Sequence, residues 1–241
     1  MLQPNASIVI LTGAGISAES GIETFRSATG LWASERIEDV CTPGALRRNP
    51  NRVHEFYNKR RREIQKPEIQ PNAAHKALAR LQREWAGSVT LITQNIDNLH
   101  ERGGSENVIH MHGRINSLYC RFRDCAHQFE TWDDCTEDTP CPACTRTSAL
   151  RPDIVFFEEM PYHMERINAA LDDADLFVSI GTSGNVYPAA GFVMQCRGHG
   201  AITAEVNLEA SLNHHHFHQG YYGPATQQVP LFVDKLLTLK L

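Results

Sequence analysis

Five short runs rich in branched apolar residues set the strongest limit on what this chain can fold into: SIVILT (7–12), VTLIT (89–93), VIHMH (108–112), DLFVSIGT (175–182) and AITAEVN (201–207). They read as buried strands. Helical patterns separate them: AAHKALARLQ follows Asn72 as its cap, and Met164, Ile167 and Leu171 recur at helical spacing after Pro161. Strands alternating with helices imply an α/β fold built on a parallel, doubly wound sheet. In such sheets ligands sit beyond the carboxyl ends of the strands. Gln94, Asn95 and Asp97 follow the second run, His112 ends the third, Thr182 and Ser183 end the fourth, and Asn207 ends the fifth. All are expected to face one crevice. Taken singly, each has the alternative of a hydrogen-bonded structural group; convergence from four strands favours a shared ligand.

Residues 120–147 break the alternation, being polar, cysteine-bearing and without sustained periodicity. With 241 residues the chain can bury one large core and still carry a small insertion. The expected organisation is a large domain made of residues 1–119 and 148–241, with a module at 120–147. Four of the seven cysteines fall in it as two close pairs, Cys120 with Cys125 and Cys141 with Cys144, with fifteen residues between the pairs. Each short loop can present two sulfurs to one ion, about 2.3 Å from each, and four thiolates close a tetrahedral shell. The pattern predicts one structural zinc with no open coordination position, holding a segment too poor in apolar residues to fold alone. Cys135 and His127 lie between the pairs and are the alternative ligands, but neither sits on a comparable chelating loop. Cys41 and Cys196 read as packing residues.

The first strand runs directly into LTGAGISAESGI, with Gly13 and Gly15 in a G-x-G. Small residues there let backbone N–H groups approach a pyrophosphate at the next helix's N-terminus; the alternative is a plain tight turn. The third glycine of the dehydrogenase fingerprint is replaced by Ala18, and no clear second strand delivers an acidic residue about twenty positions on. A redox Rossmann protein is therefore disfavoured, and a nucleotide phosphate site is retained.

A net charge of −5 and a pI near 6.2 give no global case for nucleic acid or an anionic membrane as partner. The N-terminus lacks a basic segment before its short apolar run, and no stretch reaches membrane-spanning length, so a cytoplasmic location is expected. The histidine cluster His214, His215, His216 and His218 reads as a solvated loop, with binding of a stray divalent metal as the alternative.

Against this acidic background, FYNKRRREIQ (56–65) stands out. A helix from Arg52 to Gln65 gathers Val53, Phe56, Tyr57, Arg60 and Ile64 into one stripe roughly 100° wide. Lys59, Arg61 and Arg62 fall elsewhere and read as a solvated face. Arg60 lies on the apolar side, where a guanidinium needs an anionic partner, and Tyr57 can donate to the same anion. That partner is either a ligand or an internal carboxylate such as Glu63 or Glu159.

GAGISAESGI with Phe25 and Arg26, Gln94-Asn95-Ile96-Asp97, His112-Gly113, the two cysteine pairs, Gly181-Thr182-Ser183 and Asn207 resemble the sirtuin family in order and spacing, across nearly the whole chain. The resemblance implies a Rossmann-like large domain, a small zinc domain, and NAD-dependent deacylation of acyl-lysine proteins or peptides that enter between them. By it, Gly13, Ala14, Gly15, Ser17, Phe25 and Arg26 hold the phosphates and cover the nicotinamide ribose. Gln94, Asn95, Ile96 and Asp97 line the ribose and nicotinamide pocket, and Thr182, Ser183, Asn207, Leu208 and Ala225 serve the adenosine half, with Gly181 in the same motif. The acyl oxygen attacks the anomeric carbon as nicotinamide leaves, and His112 is the base for a ribose hydroxyl, a role that suits an imidazole titrating near neutrality. Tyr57 and Arg60 resemble the pair by which desuccinylase-type members bind the acyl carboxylate. The same scaffold leaves two other outcomes open, protein ADP-ribosylation and a catalytically idle NAD-binding module. Thr24 stands where many sirtuins have Asp. Glu158, in VFFEEMP, stands where the family usually has Gly, and it could crowd a substrate strand or favour basic flanking residues.

Overall fold

The computed structural model describes residues 2–23 and 36–238, so Thr24, Phe25 and Arg26 lie outside the described residues. Six parallel strands, β1 (Ile8–Thr12), β2 (Val89–Thr93), β3 (Ile109–His110), β7 (Leu176–Ile180), β8 (Ile202–Asn207) and β9 (Gln219–Tyr222), form one sheet in the order β3-β2-β1-β7-β8-β9. The five predicted runs supply all but β9, whose sequence, QGYY, has no apolar alternation and pairs at the sheet edge. All five residues of β1 are buried because both faces of the sheet are covered. Ile8 and Ile10 point into a core shared with α4 (Ala73–Glu84) and α8 (Ala225–Leu237), while Val9 and Leu11 point into another with α6 (Met164–Asp172) and α7 (Phe192–Gly198). Asn72 caps α4 as expected: its side-chain oxygen accepts from the Ala74 and His75 amides, and His75 returns a bond to the Asn72 amide. Among the described residues no helix is long and apolar enough to cross a membrane.

A separate three-stranded antiparallel sheet, in the order β5-β4-β6, is built from β4 (Gly113–Cys120), β5 (Gln128–Glu130) and β6 (Leu150–Ile154), which extend to either side of residues 120–147. Its own core is small: Leu118, Ala149 and Leu150 with cysteines. A helical layer of α1 (Ile37–Val40), α2 (Pro43–Arg48) and α3 (Pro50–Ile64) packs on Ile115 and Ile154 of this sheet and on Phe156. Helix α3 starts two residues before the predicted position, because Asn49 caps it through the Arg52 amide and Pro50 occupies its first turn. The remaining described helix is the single turn α5 (Leu99–Arg102).

The apolar stripe of α3 is as expected, with Val53, Phe56, Tyr57, Arg60 and Ile64 buried. Of the residues read as a solvated face, Lys59 and Arg62 are exposed and Arg61 is not. Arg61 is fully buried, and His54 and Asn58 are nearly so, because a second face of the helix packs on the small domain. The Arg61 Nε donates to the Ile115 carbonyl at 3.0 Å, and its Nη1 donates to Asn58 Oδ1 at 2.8 Å and the Asp133 carbonyl at 3.0 Å. A guanidinium whose partners are carbonyls carries no apolar signature, so periodicity assigns it to solvent.

Burial, with Arg61 nearby as a smaller cause, lowers the His54 pKa to about 4; burial alone lowers that of His75 to about 4 and is the first cause that takes His100 well below the ordinary value. Above pH 6.5 all three are neutral in both folded and unfolded chains. Between pH 6.5 and about 4 the unfolded chain takes up protons that the folded one refuses, so stability falls as pH falls. Thermal melts across this window should show the decline. A His54→Gln variant, which cannot titrate, should show a shallower one, by at most about 3 kcal/mol at the acid end.

Candidate active site and metal centre

The crevice is set by one glycine contact. A Cβ on Gly15 would stand 2.7 Å from Gly181 Cα, and one on Gly13 2.8 Å from Gly181 O. Gly181 has φ +63°, and its own added Cβ would fall 2.4 Å from the Ile16 nitrogen. The Gly13 and Gly15 amides donate to the Ile180 and Gly181 carbonyls at 3.0 and 2.9 Å. The two glycines are thus required first for the seating of the β1 turn on the end of β7, and their amides are committed there. The α-helix expected to follow this turn is not formed among the described residues. In place of that helix the chain forms a pair of 3-10 turns, Ala14–Ile16 and Ala18–Ser20.

Around that turn the strand-end residues converge. Asn95 Nδ2 reaches Gly13 O and Ser17 Oγ, both at 3.2 Å, and the Ser17 hydroxyl donates to Asp97 at 3.2 Å. Burial pushes the Asp97 carboxyl up, opposed by the Leu99 amide and Ser17. The Asn207 side chain donates to the Thr182 carbonyl at 2.7 Å, and Gln94, Thr182 and Ser183 line one small cleft with Asn185 and Asn213. Ile96 packs toward the α1–α3 layer. Leu208 is 72 % exposed just past β8, and Ala225 opens α8.

His112 leaves the sheet after β3 and sits with Nδ1 at 3.0 Å from the Gln94 carbonyl. A carbonyl only accepts, so the proton is on Nδ1 and the Nε2 lone pair is open. Burial lowers the ring's pKa, which the Gln94 bond opposes, so the ring is neutral at pH 7. The main chain then links this ring to α3. The Val155 amide donates to the His112 carbonyl at 3.0 Å, the Phe156 ring stacks on Tyr57 with centroids 5.9 Å apart, and the Phe157 amide donates to the Cys41 carbonyl at 3.0 Å. Tyr57 is buried, its hydroxyl 3.2 Å from Cys41 Sγ. Cys41 is therefore more than packing, and neither it nor Phe156 carried a sequence signal for this contact. The Arg60 guanidinium lies 3.3 Å over the Phe56 ring and donates to the Phe56 carbonyl at 2.7 Å. Glu159, one alternative partner, is held by Arg151 through two bonds of 2.8 and 2.9 Å. Glu158 is exposed with φ +76°, the left-handed region that favours glycine.

In the small domain the sulfurs of Cys120, Cys125, Cys141 and Cys144 all lie within 4.8 Å of one another, with Cys120–Cys144 and Cys125–Cys141 each at 3.8 Å. A tetrahedron of sulfurs about 2.3 Å from zinc has edges of about 3.8 Å, so the residues fit that ion. Arg146 Nε donates to Cys144 Sγ at 3.3 Å and draws that thiol down to about 6, favouring the ligating thiolate. Cys135 is buried with its sulfur toward the Thr136 carbonyl, outside the cluster. Among the described residues no other group of three or more metal-ligating side chains comes together, the histidine cluster included. His218 is exposed as the solvated-loop reading expects, and its Nδ1 accepts from the Thr203 amide of β8 at 3.0 Å.

Comparison with known proteins fits this geometry. The Sir2 family pattern matches residues 13–188. An NAD-dependent protein deacylase of Vibrio parahaemolyticus is 55 % identical over 236 residues, covering 98 % of this chain and 97 % of that protein. The NAD-dependent protein deacylase SIR2rp3 of Trypanosoma brucei brucei is 52 % identical over 239 residues, covering 98 % and 97 %. The crystal structure of a Sir2 homologue with NAD superposes with a TM-score of 0.87 at 34 % identity, over 98 % of this chain and 91 % of that one.

One zinc per chain is expected in freshly purified, unchelated protein by metal analysis. Cys141→Ala should release it and lower the melting temperature rather than only slow turnover, because metal and thiolates are most of the small core. Cys135→Ala should keep the metal.

Proposed function

The chain belongs to the Sir2 family and is an NAD-dependent protein deacylase, and from that premise we propose that it removes succinyl and malonyl groups from lysine as well as acetyl. Bound NAD supplies the leaving nicotinamide and the ADP-ribose that receives the acyl group, so the products are free lysine, nicotinamide and O-acyl-ADP-ribose. The protein binds, orients and moves a proton. In this reading Gly13, Ala14, Gly15 and Ser17, with Phe25 and Arg26, hold the phosphates, and Gln94, Asn95, Ile96 and Asp97 line the nicotinamide ribose. Gly181, Thr182, Ser183, Asn207, Leu208 and Ala225 take the adenosine half. The thin glycine turn flanked by strand-end hydroxyls and amides is a suitable donor set for riboses and phosphates. His112 takes a ribose hydroxyl proton at Nε2, the nitrogen that its Gln94 bond leaves unprotonated. None of the seven cysteines forms a disulfide, which suits a reducing compartment and supports a cytoplasmic site of action.

The observation that carries the acyl preference is the buried pair Tyr57 and Arg60, on the helix that Phe156 joins to the His112 segment. A guanidinium can grip a distal carboxylate with two parallel bonds, and the Tyr57 hydroxyl adds a third donor. Acetyl-lysine has no such carboxylate and enters the same tunnel as a smaller group.

His112→Ala should lower deacylation about a hundredfold to ten-thousandfold with NAD affinity largely kept. In the wild type, the acid limb of kcat/KM should fall below pH 6.5, since burial lowers the base's pKa. Near-normal turnover of the variant would refute the assignment. Arg60→Met should cost a few kcal/mol in kcat/KM for succinyl-lysine peptide and little for acetyl, and Tyr57→Phe less in the same direction. Equal losses on both peptides would remove the acyl preference. A peptide that gains ADP-ribose by mass spectrometry would instead indicate transfer to protein.

A further inference from the structure

The recognition helix is held along its length by the zinc domain, through residues that alternate with the recognition pair. Asn58 comes directly after Tyr57 and Arg61 directly after Arg60 in sequence, and both are buried on the side facing the small domain. The Asn58 amide completes a two-way pair with the Cys135 backbone: its Nδ2 donates to the Cys135 carbonyl at 2.8 Å, and its Oδ1 accepts from the Cys135 amide at 3.0 Å. Arg61 spans the Ile115 and Asp133 carbonyls and steadies Asn58. At the ends, Asn51 Oδ1 accepts from the Glu137 amide at 2.9 Å, Gln65 Nε2 donates to the Trp132 carbonyl at 3.2 Å, and Arg62 pairs with Asp134. Residues 132–137 thus form a cradle along α3, and they lie between the two cysteine pairs that hold the metal.

We propose that Asn58 and Arg61 are positioning residues for acyl selectivity, by which the zinc domain fixes the rotation of α3 and hence where Tyr57 and Arg60 point. The inference rests on the acyl reading above. A helix side chain ends about 6 Å from the helix axis, so a turn of about 10° carries it about 1 Å. Displacement of that size is enough to spoil a two-bond grip on a carboxylate, and can cost up to about a hundredfold in rate. An acetyl group makes no such bond and tolerates the turn.

The test compares succinyl- and acetyl-lysine forms of one peptide in wild type, Asn58→Ala, Arg61→Lys and Arg60→Met. Asn58→Ala and Arg61→Lys should raise KM for the succinyl peptide on the order of tenfold, with kcat less affected, and change acetyl kcat/KM by less than about threefold. The KM for NAD and the zinc content should stay at wild-type values. A side chain that only supports the fold would lower both peptides together, and that result, or an unchanged succinyl-to-acetyl ratio in both variants, overturns the proposal. If those variants do not fold, Arg62→Gln with Gln65→Ala cuts two exposed ties to the same cradle. It should shift the ratio the same way by about twofold to threefold, and no shift counts against the proposal. Arg60→Met separates the two claims: a selective loss there without one at Asn58 and Arg61 leaves the acyl reading standing and removes the cradle. Equal losses at Arg60 remove both.

Discussion

The contact of Gly13 and Gly15 with Gly181 is the constraint on which the rest of the site depends. It brings the turn after β1 onto the end of β7 at backbone distance, in the middle of the sheet, where strand order reverses direction. With the turn seated, Ser17 stands where Asn95 and Asp97 can both bond to it, and Asn207 can reach Thr182 from the next strand. Any Cβ at these three positions would separate the turn from β7 and open that network at once. The buried carboxyl of Asp97 would then lose a donor that offsets its burial.

The strands of the small sheet meet their surroundings through directional polar groups as well as through the apolar cluster on Ile115, Ile154 and Phe156. Asp153 of β6 accepts from Ser117 of β4 in the same sheet at 2.8 Å and from Tyr162 beyond it at 3.0 Å, and Arg151 holds Glu159 while lying 4.2 Å over the Phe156 ring. Such contacts are directional: each carbonyl or carboxylate fixes one donor, so the interface tolerates little sliding. An apolar interface of the same size would hold the two domains together without dictating the angle at which helix α3 meets the site. That helix is buried on both sides, and it connects the small domain, through the backbone of Cys135 and Asp133, with the segment that carries His112.

His112 shows how a backbone carbonyl can set chemistry. Gln94 O fixes the tautomer, and burial keeps the ring neutral, so the one open lone pair is chosen by the main chain of β2's end rather than by a carboxylate. The parallel register that pairs Thr93 with His110 brings those two strand ends side by side.

The amino-acid sequence by itself determined the parallel sheet, because strands buried on both faces must be apolar throughout, and it determined which four cysteines come together, because chelation of a metal needs two sulfurs on one short loop. It also determined the stripe on α3, since an apolar face leaves a period in the residues. Tertiary structure alone decided what lies opposite that stripe. Arg61 and Asn58 are buried by bonding to carbonyls of residues 115, 133 and 135, far away in sequence, and a polar residue that is satisfied by a distant backbone looks like a solvent-facing one until the chain is folded. The glycines of the first turn obey the same rule: their identity is legible as a tight turn, but the reason for it, the approach of Gly181, depends on which strands become neighbours.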